Sequence, residues 1–238
     1  MNYALIFAGG AGQRMNTRAK PKQFLELHGK PIIIYTIEHF EKHPEISSIV
    51  VVCIKDWIDE LKHLLKQYGI EKVTHIVPGG DGGDISIYNG LNVLSNECNP
   101  DDIVLIHDGV RPLINSDLIT ENIRVAQEYK TAITVEKVVE SVVRLGRDSV
   151  ISDVPPRNEM YSAKAPQTFR FDLIWDLYQK AHEKGLRTID SSHLCSLFGQ
   201  EMHTVKSTPN NIKITAPADY YIFRALYEAY ENQQIIGI

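Results

Sequence analysis

The chain has 238 residues, 43% of them hydrophobic and 23% charged, with a formal net charge of −5. That length suits one large α/β domain, and the composition is that of a globular protein able to bury a full core. The negative balance argues against a nucleic-acid coat or a polybasic membrane surface, so local basic clusters point to small anionic ligands.

In chain order, YALIFAG (3–9) reads as the first strand and PIIIYTIEHFEKH (31–43) as the first long helix. SSIVVVCI (47–54), THIVPG (74–79), DIVLIHD (102–108) and TAITVEKV (131–138) are further apolar runs of buried-strand type. Between them lie helical patterns at 56–69, 85–96 and 116–130. In the first of these Trp57, Leu61, Leu64 and Leu65 share a face and Gly69 supplies a stop; in the last, Asn115 or Ser116 can cap. Strand–helix alternation of this kind predicts a mainly parallel sheet covered on both sides. Residues 135–165 break the pattern. VEKVVESVVRL and SVISDVP around the turn GRD read as a projecting β-arm, at about 135–160, suited to a dimer contact. APADYYIFRALYEAYENQQ at the C-terminal end should be an amphipathic helix packed on the sheet.

Three segments carry the chemistry. FAGGAGQRM (7–15) is followed closely by PKQFL, which brings Arg14, Arg18, Lys20 and Lys22 to a glycine-rich turn. It is not a Walker A loop, since no Gly-Lys-Ser/Thr ends it, nor a dinucleotide fingerprint, since Met15 stands where the third glycine belongs. Glycines let backbone N–H groups crowd a phosphate, and Arg14 and Lys22 add full charges suited to a polyphosphate. PGGDGGDIS (78–86) offers either an ordinary βα loop with Asp84 as cap or a backbone wall against a base, with Ser86 at the helix start. IHDGVRP (106–112) puts Asp108 at a strand's carboxyl end, suited either to Mg²⁺ or to a salt bridge with Arg111. All three segments follow predicted strands, so they should meet at one sheet edge. NIKIT (211–215) reads as strand-like, with Lys213 either snorkelling to the surface or aimed at the nucleotide.

FAGGAGQRM–PKQFL, IHDGVRP, PRNEMYSAKAPQTF and NIKIT together resemble the cytidylyltransferases that activate polyol phosphates, over nearly the whole chain and in the family's order. The resemblance implies one Rossmann-like nucleotidyltransferase domain over 1–238, a three-layer α/β sandwich with a mainly parallel sheet and a β-arm that forms homodimers. It implies CTP and a polyol phosphate as substrates and Mg²⁺ or another divalent cation as cofactor. By the same likeness Arg14, Lys22 and Lys213 are catalytic, and Ala8, Gly9, Gly10, Gly12, Gly80, Ser86 and Asp108 bind nucleotide, Asp108 also holding the metal. Arg111, Ser141, Arg157 and Thr188 fall on the acceptor side, Arg157 coming from the arm of a second subunit. Two positions depart from the family pattern: Gly83 stands where an arginine is usual, and Ala165 where a threonine is. PRNEMY favours the ribitol-phosphate branch over the methylerythritol-phosphate branch.

Other readings are a sugar-1-phosphate nucleotidyltransferase, a non-catalytic nucleotide-binding relative, and a dinucleotide-dependent oxidoreductase. No apolar run approaches the roughly 20 residues needed to span a bilayer, and the start lacks the charged region of a signal peptide. Cys53, Cys98 and Cys195 form no CxxC pair, which fits reduced thiols in a cytoplasm.

Overall fold

The computed structural model of the chain describes residues 1–10 and 20–232. In chain order its elements begin with β1 (Asn2–Ala8), β2 (Glu26–Leu27), β3 (Lys30–Pro31), α1 (Ile32–Glu41), β4 (Ser48–Cys53), α2 (Ile58–Gln67), β5 (Val73–Pro78), α3 (Gly83–Leu94) and β6 (Ile103–Asp108). They continue with α4 (Ser116–Tyr129), β7 (Thr131–Lys137), β8 (Arg144–Leu145), β9 (Ile151–Asp153), β10 (Tyr161–Arg170), α5 (Phe171–Glu183), α6 (Ser191–Leu197), β11 (Thr204–Lys206) and α7 (Pro217–Asn232).

The main sheet has seven strands in the order β11-β7-β10-β6-β1-β4-β5. β1 pairs in parallel with β4 and β6, β4 with β5, and β7 with β11, while β10 runs antiparallel between β6 and β7. Each central strand is apolar on both faces, as a doubly covered sheet requires. Ala4, Ile6, Ile49, Val51 and Leu105 pack with α1, α2 and α4, whereas Tyr3, Leu5, Val50, Val52 and Val104 pack with α3, α5 and α6. This period of two makes the three layers. The five strands and four helices of the expected strand–helix alternation are all present, each within two residues of the expected ends. Asn115 caps α4 by accepting from the Leu118 backbone N–H at 2.9 Å.

Three expectations change. NIKIT forms no strand: it crosses the sheet edge as an extended loop, fixed by the Ile214 N–H donating to Val110 O at 2.9 Å. α7 packs not on the sheet but on α1 and the neighbouring loops, where Phe223 joins Leu27, Ile32, Tyr35, Val110, Leu113 and Ile214. The arm is shorter than expected, because β7 stays in the main sheet to Lys137 and only the short pair β8–β9 and its flanks lie beyond it. This segment leaves Val139, Leu145, Val150, Ile151 and Val154 exposed.

Candidate active site

The glycine turn after β1, the loop after β5 and the end of β6 do meet at one edge, because β6, β1, β4 and β5 are parallel neighbours. The first two touch backbone to backbone. A Cβ on Gly79 would sit 2.7 Å from the Gly9 Cα, and one on Gly9 would sit 2.8 Å from Ser86 Oγ, so side chains are excluded from this seam. Ser86 is buried, and its hydroxyl holds the second loop by accepting from the Gly80 N–H at 3.1 Å and donating to Gly82 O at 2.7 Å. Gln23, from the PKQFL segment, does the same for the first loop, its amide donating to Ala8 O at 2.6 Å and to Gly10 O at 3.3 Å. Gly12 and Arg14 lie outside the described residues.

Asp108 is the electrostatic centre. One carboxylate oxygen is 2.6 Å from Lys213 Nζ and the other accepts from Arg111 Nε at 3.1 Å. Burial alone would push this carboxyl up, but the charges of Lys213 and Arg111 outweigh it and hold it down at about 2. The Arg111 guanidinium is itself buried and donates to Asn211 O at 2.9 Å, and the Asn211 amide donates to Ala165 O at 2.8 Å. Lys22 Nζ donates to Ile214 O at 3.0 Å, one residue from Lys213. Three segments distant in sequence thereby bring Lys22, Asp108, Arg111 and Lys213 together. Among the described residues no group of three or more His, Cys, Asp or Glu side chains is arranged to hold a metal. A divalent cation here would depend on Asp108 and on ligand oxygens, the donor set that suits Mg²⁺ carried by a nucleotide.

Asp108, Arg111 and Lys213 open on a cavity of about 380 Å³ whose lining also includes Lys164, Gln167 and Asp190. A larger cavity of about 700 Å³ lies behind the Asp108 loop, walled by Tyr35, His39, Leu113 and Tyr227. Lys42 is the one lysine or arginine among its described lining residues, against Arg111, Lys164 and Lys213 in the smaller cavity, so the larger cavity offers less to a phosphate. Among the described residues, nothing lining the smaller cavity is poised as a nucleophile. The Ser191 hydroxyl is buried against Tyr178 at 3.0 Å, and burial pushes all three cysteine thiols up to about 12. Burial also holds the His107 ring down at about 3, and its Nε2 is engaged with Arg111 O at 3.1 Å.

Not every sequence candidate reaches the cavity. Thr188 faces the side of α3 and α5 instead, beside Tyr88 and Tyr178, and Ile189 takes the lining position. Ser141 and Arg157 sit exposed on the arm, Arg157 donating to Val139 O at 3.4 Å. Sequence reading missed Arg187, whose guanidinium grips Asp84 at 2.6 Å and also reaches Asp81 O, over the surface that Gly82 leaves bare. It also missed Lys164, Gln167 and Asp190. The signal for Asp190 was present in DSSH, a helix-start pattern, and the Asp190 carboxylate does cap α6 by accepting from the His193 N–H at 2.8 Å.

A mainly parallel three-layer sheet with a glycine seam and clustered cations at its carboxyl edge defines a nucleotidyltransferase. The crystal structure of 4-diphosphocytidyl-2C-methyl-D-erythritol synthase from Anaerococcus prevotii has the same fold, with TM-score 0.82 and 27% identity, covering 95% of this chain and 96% of that one. The family model IspD, 2-C-methyl-D-erythritol 4-phosphate cytidylyltransferase, matches residues 3–229, and the chain belongs to this family. Within it, the chain is 46% identical over 239 residues to ribitol-5-phosphate cytidylyltransferase of Streptococcus agalactiae serotype Ia, covering 100% of both. It is 36% identical to 2-C-methyl-D-erythritol 4-phosphate cytidylyltransferase of Clostridium novyi, over 95% of this chain and 96% of that protein.

Proposed function

We propose that the protein transfers the cytidylyl group of CTP to ribitol 5-phosphate, giving CDP-ribitol and pyrophosphate. The observation that carries the chemistry is the pairing of Lys213 and Arg111 with the buried Asp108, with Lys22 fixed on the backbone one residue from Lys213, beside a cavity where the described residues offer no poised nucleophile. The choice of acceptor follows the 46% identity to a ribitol-5-phosphate cytidylyltransferase, against 36% to a methylerythritol-phosphate one.

In this reading an acceptor phosphate oxygen attacks the α-phosphorus of CTP, a bond forms between them, and the bond to the β-phosphate oxygen breaks. A phosphate monoester is already anionic near neutral pH, its second ionisation lying near about 6, so no general base is needed. The barrier is repulsion between two anions together with charge on the departing pyrophosphate, and fixed cations lower both. Lys213 bridges the reacting phosphates, and Lys22, with Arg14, takes the charge on the triphosphate. Ala8, Gly9, Gly10, Gly12, Gly80 and the loop that Ser86 secures frame the base and phosphates. Asp108 would hold Mg²⁺, which when bound neutralises triphosphate charge, and Arg111 keeps that carboxylate in place.

The exposed apolar residues of the arm support a homodimer in which each arm reaches the other subunit's site. Arg157 and Ser141 then contact the acceptor from the second copy. Arg157→Ala should raise the acceptor KM by about 10-fold or more, the loss of a charged hydrogen bond, with the CTP KM unchanged. Equal increases in both would remove Arg157 from acceptor binding. No helix among the described residues is long and apolar enough to cross a membrane. The unpaired cysteines fit a reducing cytoplasm.

The test is pyrophosphate release from CTP with ribitol 5-phosphate, methylerythritol 4-phosphate and sugar 1-phosphates as acceptors. Turnover highest with ribitol 5-phosphate supports the proposal. Preference for methylerythritol 4-phosphate would move the protein to the other branch, and CTP binding without turnover of any acceptor would leave it a non-catalytic relative.

A further inference from the structure

The reaction described above gives no role to Lys164. In an unbroken strand consecutive side chains alternate between faces, so only every second residue of β10 should reach a given cavity. β10 is not unbroken: its ladder to β7 shifts register between Ala163 and Gln167. Ala163, Lys164 and Ala165 consequently all line the same cavity as Lys213 and Asp108. Irregularities of this kind re-aim side chains beside active sites.

The ammonium of Lys164 is 2.8 Å from Glu136 Oε2, with side-chain exposures of 21% and 42%. The two cations near Asp108 are held differently. Lys213 and Arg111 share a carboxylate that is almost wholly buried, whereas the partner of Lys164 stands at the rim of the sheet, half in water. An ion pair with one exposed carboxylate is weak, and that carboxylate regains its hydration when it swings out. An incoming phosphate dianion offers Lys164 a stronger partner than Glu136 does.

We propose that Lys164 binds the phosphate of the acceptor and that Glu136 holds its ammonium in readiness until the acceptor arrives. Lys164 is then a binding and specificity residue for phosphorylated acceptors, and Glu136 a built-in competitor for the same charge. The inference rests on the polyol-phosphate reading. The rival account is structural: Glu136 lies opposite Ser162 in the ladder, so Lys164 is a diagonal neighbour, and such cross-strand pairs stabilise sheets.

The two accounts differ in the sign of one effect. Pyrophosphate release is measured for wild type, Lys164→Gln, Lys164→Arg and Glu136→Gln, with CTP and whichever of ribitol 5-phosphate and methylerythritol 4-phosphate wild type turns over. Lys164→Gln should raise the acceptor KM by about 10- to 100-fold, as expected for losing a hydrogen bond to a charged group, while the CTP KM stays unchanged. Lys164→Arg should restore most of that loss. Glu136→Gln should lower the acceptor KM by up to about fivefold, because it removes a weak competing pair. A structural pair would instead make Lys164→Gln and Glu136→Gln move together, both raising the acceptor KM or neither changing it, and either result overturns the proposal. If Lys164→Gln does not fold, the direction of the Glu136→Gln effect decides alone. An active wild type with an unaffected Lys164→Gln variant removes this inference and leaves the proposed function standing. A wild type that uses neither acceptor removes both.

Discussion

Lys213→Ala should lower kcat by about 100- to 1,000-fold, the usual loss when one preorganised donor to a developing charge is removed. Stability should fall by about 1 to 2 kcal/mol, less than for loss of the carboxylate itself, because Lys213 is 39% exposed while its partner Asp108 is buried and keeps Arg111. The reason for the split lies in the partners. Without Lys213, Asp108 still accepts from Arg111 at 3.1 Å, and the 211–214 segment is still tied down by the Arg111–Asn211 and Asn211–Ala165 contacts. Only the charge facing the reacting phosphates is gone. Steady-state pyrophosphate release beside urea unfolding checks both halves. A kcat close to wild type would return Lys213 to the role of a surface lysine.

Asp108→Ala should abolish measurable turnover and also destabilise the fold, by about 3 to 5 kcal/mol at pH 7, since it leaves the buried Arg111 guanidinium without its carboxylate. The acid dependence gives a second handle. The Asp108 carboxyl is held down at about 2, below the ordinary value near about 3.9. A depressed folded-state pKa contributes stability that is fully present above the unfolded value and is lost as pH falls through the folded value. For a shift of this size the contribution is about 2 to 3 kcal/mol, and about half of it is gone by pH 3. The stability difference between wild type and Asp108→Ala should therefore be largest near neutrality and narrow between about pH 4 and pH 2. Urea unfolding at pH 7 and pH 3 measures it. The same gap at both pH values would mean that the carboxylate is not held in this way.

Most of the sheet was legible because its strands are short, apolar and separated by helical periods, and parallel pairing follows from that alternation alone. β10 was hidden: Ser162, Lys164, Pro166 and Gln167 break any apolar run, and the strand exists because β6 and β7 flank it on both sides. NIKIT misled for a related reason. Ile214 is buried by Phe223 and Val110 rather than by a sheet, so an alternation that looks like a strand is an extended loop pinned under α7. The edge location of the site was legible from the glycines and from Asp108, each at a strand end. The pairings that complete it were not. Arg187 with Asp84, Lys22 with Ile214 O and Arg111 with Asn211 each join residues about 100 or more apart, distances over which no local pattern operates. The arginine missing at position 83 illustrates the limit, since a guanidinium does reach that loop, but from a segment that spacing could not connect to it.

The stereochemical course at phosphorus tests the central claim most directly: that positioned cations let one phosphate displace pyrophosphate from another with no enzyme nucleophile between them. One diastereomer of CTP carrying sulfur at the α-phosphate is turned over with ribitol 5-phosphate, and the configuration of the CDP-ribitol formed is read. A single in-line displacement predicts inversion. Retention would mean two displacements through a covalent cytidylyl-enzyme, and would contradict the account.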